Sequence, residues 1–164
     1  MTIKEYFIKR EGCERKPYLD NGTPRKWTIG IGFNFSDNPL PKPIKAYLDE
    51  YGEITEEMID QLFDTTIATA FRDCHDLFPD FDTFSENRRT ALVDVVFNMG
   101  KGRISHSFPS FVHNINREAW QDAADDLKYV NGRKKTQLSK YWLQLHGERH
   151  NSRPAEVYEM IREG

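Results

Sequence analysis

The sequence is poor in the features that direct a chain to most other classes of protein. Cysteine is scarce: Cys13 and Cys74 are the two in 164 residues, too few for a disulfide framework, and both are read as reduced thiols. No stretch approaches the roughly 20 consecutive apolar residues of a membrane span. The opening MTIKEYFIKREG is charged where a signal peptide needs an apolar run, so the expectation is a chain that stays in the cytoplasm in which it is made. Charge of one sign is not in excess either. The 23 Lys and Arg against 26 Asp and Glu leave −3, and no global field draws the chain to nucleic acid or to an anionic membrane. The short basic clusters, among them Lys9-Arg10, Arg15-Lys16, Arg25-Lys26 and Arg133-Lys134-Lys135, read as solvated surface. Cofactor signals are incomplete. Gly30-Ile31-Gly32 begins like a dinucleotide loop, but Phe35 stands where the third glycine belongs and no βαβ unit follows. His146 and His150 have the i, i+4 spacing of a metal pair, without the His-Glu-x-x-His order or a third carboxylate. Neither a cofactor nor a metal is expected.

What is present describes one globular domain over residues 1–164. The chain is 38% hydrophobic, 13% aromatic and 30% charged, and at this length about 68–70% of the unfolded surface is buried on folding, enough for a substantial core. Residues 2–11 predict a helix: Thr2 caps it, Gly12 ends it, and Ile3, Tyr6 and Phe7 share a face. The period then changes. Trp27, Ile29, Ile31 and Phe33 alternate with Thr28, Gly30, Gly32 and Asn34, which predicts one strand with an aromatic-aliphatic face and a nearly bare face open to a flat polar ligand. Asp20-Asn21-Gly22 before it signals a turn, so a small antiparallel hairpin or three-stranded sheet is expected.

The rest reads as helical: Ile44 to Tyr51, a long helix from a Thr55 cap to about Phe78, and one capped by Ser85 with an apolar stripe of Leu92, Val95, Val96 and Met99. Shorter helices are expected at Ser110–Ile115, Glu118–Tyr129, Thr136–Leu145 and Arg153–Arg162. The fold class is α+β, mainly α. An N-terminal lobe over about 12–54 carries a small antiparallel sheet, a helix over about 55–78 links the lobes, and the helical lobe takes about 79–164 together with the first helix.

Two carboxyls stand out by their settings. Glu11 lies four residues beyond Phe7, so it points where the apolar face points, and it ends a helix where its charge meets the negative end of the dipole. Burial of a carboxyl disfavours its charged form, which suits a proton donor. Asp20, in a polar turn, suits the complementary role of holding or activating water, the pairing that glycoside cleavage requires. Taken singly, each is an ordinary surface or turn residue.

The run Glu11-Gly12, Tyr18-Leu19-Asp20 and Thr28-Ile29-Gly30-Ile31-Gly32 resembles the Glu-(eight residues)-Asp-(spacer)-Thr signature of the phage-type lysozymes, the endolysin muramidases. Ile54-Thr55 leading into a long helix, Ala91-Leu92-Val93 through Phe97-Asn98-Met99-Gly100, and Trp120 with Ala123-Ala124 and Leu127 are similar to later parts of that family. The resemblance implies a lysozyme-like two-lobed fold. It implies hydrolysis of the β-1,4 bond between N-acetylmuramic acid and N-acetylglucosamine in bacterial peptidoglycan, with inversion, for host cell lysis.

Within that resemblance Glu11 is the acid, while Asp20 and Thr28 hold the attacking water. An arginine near the C-terminus partners the acid, with Arg153 first and Arg149 second. Gly32, Asn34, Phe97 and Asn98 are the substrate-binding candidates. A monomer is implied, reaching the wall from the host cytoplasm through the inner membrane with the help of a separate holin that it does not touch. Two departures are visible. The Asp20–Thr28 spacer holds seven residues where the family usually has five, a count that would land on Lys26, and Arg153 falls about one position from the expected arginine. The alternatives are a lytic transglycosylase and a non-catalytic wall-binding module on the same fold.

Overall fold

The computed structural model of the chain describes residues 1–130, 134, 135, 137–147 and 153–164, and for 144–147 the backbone alone. Its contacts divide it into two compact units, Met1–Ala68 and Thr69–Gly164. No helix among the described residues is long and apolar enough to cross a membrane.

The first unit opens with α1, Ile3–Glu11. A reciprocal cap starts it: the Glu5 N–H donates to Thr2 Oγ1 at 3.2 Å and the Thr2 N–H donates to Glu5 Oε2 at 2.7 Å, so two donors that a helix start leaves orphaned are satisfied. Gly12, at φ 79°, ends it. Tyr6 and Phe7 are fully buried, and Phe7 meets Phe63 of a later helix with ring centroids 5.7 Å apart.

Strands β1 (Glu14–Leu19), β2 (Trp27–Gly30) and β3 (Phe33–Asn34) then form the expected antiparallel sheet in the order β1-β2-β3. The single strand predicted from Trp27 to Phe33 does not exist. Gly30 and Gly32 take φ +63° and +66°, conformations that L side chains rarely adopt, and the chain reverses between them. Thr28 therefore pairs with Asn34, and Ile29 with Phe33, across a tight turn. The alternating glycines supply the turn's backbone angles and do not make a bare face.

Helix α2 (Lys42–Tyr51) follows, ended by Gly52 in the left-handed region. Helix α3 (Glu56–Leu77) starts on Thr55, whose Oγ1 accepts the Met58 N–H at 3.3 Å. Its first turns complete the first unit. Ile59 lies against Gly30, and Asp60 accepts from Lys4 Nζ of α1 at 2.5 Å.

The second unit is helical. After a short 3-10 turn at Phe81–Thr83, α4 (Glu86–Met99) buries Ala91 through Val96 without interruption. After it come α5 (Lys101–Ser107), α6 (Pro109–Asn116), α7 (Trp120–Lys128), α8 (Lys140–Gly147) and α9 (Arg153–Glu163). Three of these differ from expectation, each for a local reason. Helix α5 was not expected; Gly100, at φ 74°, ends α4 and at once starts the new helix. Helix α7 begins at Trp120 because Glu118 holds φ 54°, outside the helical region. Helix α8 begins at Lys140 because an antiparallel bridge between Tyr129 and Leu138 keeps that segment extended, and Ser139 Oγ then caps it by accepting the Trp142 N–H at 3.1 Å.

Cys13 is exposed and Cys74 buried, both as thiols. Burial pushes the Cys74 thiol up to about 12, so it has almost no reactive thiolate at neutral pH. A disulfide reagent at pH 8 is expected to titrate one thiol in the native protein and the second only after denaturation. Two fast thiols would show that Cys74 is not enclosed.

Candidate active site

Glu11 is the last residue of α1 and is half-buried. What fixes its surroundings is the β2–β3 turn. A Cβ placed on Gly32 would stand 3.2 Å from Glu11 Cβ, 3.3 Å from its Cγ and 3.5 Å from its Oε2. Gly32 thus touches the acid candidate itself, and its missing side chain is what lets the turn close on the helix end.

Asp20 sits at the neck of the loop between β1 and β2. Its N–H donates to the Lys26 carbonyl at 3.0 Å, and its Oδ1 accepts the N–H groups of Gly22 at 3.0 Å and Lys26 at 2.9 Å. Both bonds accepted by the side chain fall on Oδ1, which ties that oxygen to the loop backbone. The two extra spacer residues are taken up in this loop, and Thr28 stays in β2 opposite Tyr18. Directly paired residues share a sheet face, as do residues two apart. Tyr18, Asp20, Lys26, Thr28 and Asn34 therefore belong to one face.

Thr28 is 4% exposed, and its hydroxyl donates to the Lys26 carbonyl at 3.3 Å. Lys26, where strict family spacing would land, commits its ammonium to Asp37 and its N–H to Asp20. That ammonium, then the Asn34 amide, hold the Asp37 carboxyl below the usual carboxylate range. This tie is present above the ordinary aspartate range and is lost as pH falls through the lowered value. Asn34 is itself largely spent on the loop: its Oδ1 accepts the Ser36 and Asp37 N–H groups and its Nδ2 donates to Asp37.

Gly32→Ala is expected to damage stability and activity together. Alanine in the left-handed region costs roughly 1–2 kcal/mol, and the new methyl would displace Glu11. Urea denaturation and clearing of a peptidoglycan suspension measure the two effects; full activity would mean that Gly32 does not set the position of Glu11.

In the second unit, Arg153 at the start of α9 closes on Asp94 in the middle of α4. Its Nε lies 3.2 Å from each carboxylate oxygen and its Nη2 lies 2.5 Å from Oδ1. Asp94 is 0% exposed and the Arg153 side chain 13%. Asn98 turns back on this pair, its Nδ2 donating to the Asp94 carbonyl at 2.7 Å and approaching Oδ1 at 3.4 Å, while Phe97 beside it is half-buried. Asp94 was missed in the sequence, where its signal is a lone acid inside the apolar run Ala91–Val96. The unit also holds a cavity of about 690 Å³, lined by Arg103, Phe108, Phe111, Arg117, Asp126 and Lys140 among others. None of the sequence-predicted site residues lines it. Arg149, His150 and the side chain of His146 lie outside the described residues.

Comparison with known proteins gives a match to the phage lysozyme family over residues 8–141. The chain belongs to that family. A probable T4-type lysozyme 2 of Dictyostelium discoideum is 27% identical over 142 residues, covering 77% of this chain and 82% of the relative. As a phage-type lysozyme the chain has the α+β fold expected of it, and its membership supports a lysozyme-like, glycoside hydrolase function. Glu11, Asp20, Thr28, Gly32, Asn34, Phe97 and Asn98 all fall inside the matched region, and Arg153 lies beyond its end.

Proposed function

We propose that this phage-type lysozyme hydrolyses the β-1,4 bond between N-acetylmuramic acid and N-acetylglucosamine in bacterial peptidoglycan, with inversion at the anomeric carbon. The observation that carries this reading is the different anchoring of two carboxyls in one unit: Asp20 clamped on Oδ1 by two backbone donors beside Thr28, and Glu11 held at a helix end by Gly32. Glu11 gives its proton to the leaving glycosidic oxygen as that bond to the anomeric carbon breaks. Water attacks the same carbon from the opposite face and passes its proton to Asp20, whose Oδ1 is tied to the loop backbone. Thr28 offers its hydroxyl oxygen to the same water. Such a displacement needs the carboxyls more than roughly 6.5 Å apart, so that the water fits between them.

Arg153, steadied by Asp94, is the proposed electrostatic partner of the acid. Gly32, Asn34, Phe97 and Asn98 are the proposed sugar contacts, of which Gly32 has the best support because it already lies against Glu11. Host-cell lysis by a monomer released with the aid of a holin belongs to the same proposal.

Products decide it. Digestion of purified peptidoglycan is expected to release muropeptides that have gained water, detected by mass spectrometry, with the α-anomer formed first, detected by NMR. Anhydro products would indicate a transglycosylase, a first-formed β-anomer a retaining enzyme, and binding without release a non-catalytic wall module.

A further inference from the structure

The sheet has a second face, and its exposed end carries no role in the reading above. Leu19 of β1 pairs directly with Trp27 of β2. On the other side the Phe35 N–H donates to the Trp27 carbonyl at 2.9 Å, and the two rings lie 6.5 Å apart, tilted by 30°. Leu19, Trp27 and Phe35, the residue just after β3, therefore form one row, on the face opposite Tyr18, Thr28 and Asn34. Ile29, two residues further along that face, is fully buried, whereas Trp27 is 47% and Leu19 44% exposed. The row is thus the uncovered rim of an otherwise covered face.

We propose that this row is a second glycan-binding surface, on which Trp27 stacks against a pyranose ring of peptidoglycan. A pyranose has a flat face of C–H groups with a rim of hydroxyls, and an indole offers a large, flat, electron-rich face that attracts such C–H bonds. Leucine and a tilted phenylalanine beside it widen the platform. Charge also favours this occupant. Arg25, two residues before Trp27, is exposed and makes no ion pair with any described residue, and the stem peptides of peptidoglycan carry carboxylates.

The inference rests on the peptidoglycan-hydrolase reading and adds a second contact to it. Leu19 directly precedes Asp20 and Trp27 directly precedes Thr28, so the row lies on the reverse of the strands that carry the water-holding pair. One glycan strand cannot cover both faces of the same two strands. The row therefore takes a neighbouring strand of the wall, and its effect is to hold the enzyme on an insoluble, many-stranded substrate.

The test separates binding to sacculi from cleavage of a soluble substrate. In a Glu11→Gln background, Trp27→Ala is expected to bind purified sacculi about tenfold more weakly in co-sedimentation, while Trp27→Phe stays within about twofold. With Glu11 intact, Trp27→Ala should cleave soluble glycan oligomers at the parent rate and sacculi more slowly. If Trp27→Ala does not fold, Leu19→Ser must show the same split. Undiminished binding to sacculi overturns the inference, as does loss of soluble cleavage in step with binding, or a Trp27-dependent binding to anionic phospholipid vesicles with none to sacculi. A parent chain that cleaves neither substrate overturns the hydrolase reading instead.

Discussion

Glu11→Gln is expected to leave a folded protein that clears peptidoglycan suspensions about a thousandfold more slowly than the parent chain. A positioned general acid contributes roughly 10²–10⁴ in rate, and an amide of the same shape cannot supply the proton. The glycosidic oxygen would then leave as an alkoxide, with no proton supplied from the acid's position. The substitution leaves the fit beside Gly32 unchanged, because the side-chain atoms nearest that glycine are Cβ, Cγ and a terminal atom whose size does not change. Lost activity with an unaltered circular dichroism spectrum therefore reports chemistry and not packing. The comparison with Gly32→Ala sharpens this: there the acid is present but displaced, so activity and stability fall together. Clearing by Glu11→Gln at the parent rate would sink the assignment of Glu11 and, with it, the proposed mechanism.

Some parts of the site were legible in the sequence because a local rule dictates them. Thr2 and Glu5 are spaced as a capping box, and α1 starts where that spacing says. Glu11 follows Phe7 by four residues, and the helix ends on it. Asp20-Asn21-Gly22 is turn chemistry, and Asp20 does hold the turn with its own side chain. The errors have a common source, which is that periodicity reports burial and not backbone angles. Gly30 and Gly32 alternate with Ile29 and Ile31 as a strand would demand, yet their positive φ makes them the turn. Glu118 looks like a helix residue and is held out of the helix by the same kind of angle.

Other features were hidden because their partners are far away in sequence. Trp27 alternates with core residues but stands at the uncovered end of its face. Asp94 sits among seven consecutive buried positions, Thr90 to Val96, and Arg153, 59 residues later, explains why an acid is tolerated there.

That pair is the basis of the largest stability effect expected here. Asp94→Ala should lower the free energy of unfolding by about 3–5 kcal/mol, because it leaves the Arg153 guanidinium largely enclosed without the carboxylate that both its Nε and Nη2 address. At roughly 2–4 °C per kcal/mol for a chain of this size, the midpoint of thermal unfolding should fall on the order of 10 °C. The loss includes the cost of an enclosed guanidinium deprived of this carboxylate and is not the worth of the pair. Asp94→Leu combined with Arg153→Met removes both charges and fills much of the space, so most of the stability is expected to return. A loss below about 1 kcal/mol for Asp94→Ala would mean that water reaches the guanidinium and that the enclosure is not real. The double variant also separates the two roles given to Arg153. It is expected to be stable yet poorly active, since it lacks the proposed partner of the acid. If it is stable and clears peptidoglycan as the parent does, Arg153 serves the fold of α4 and α9 alone, and the partner of Glu11 must be sought elsewhere.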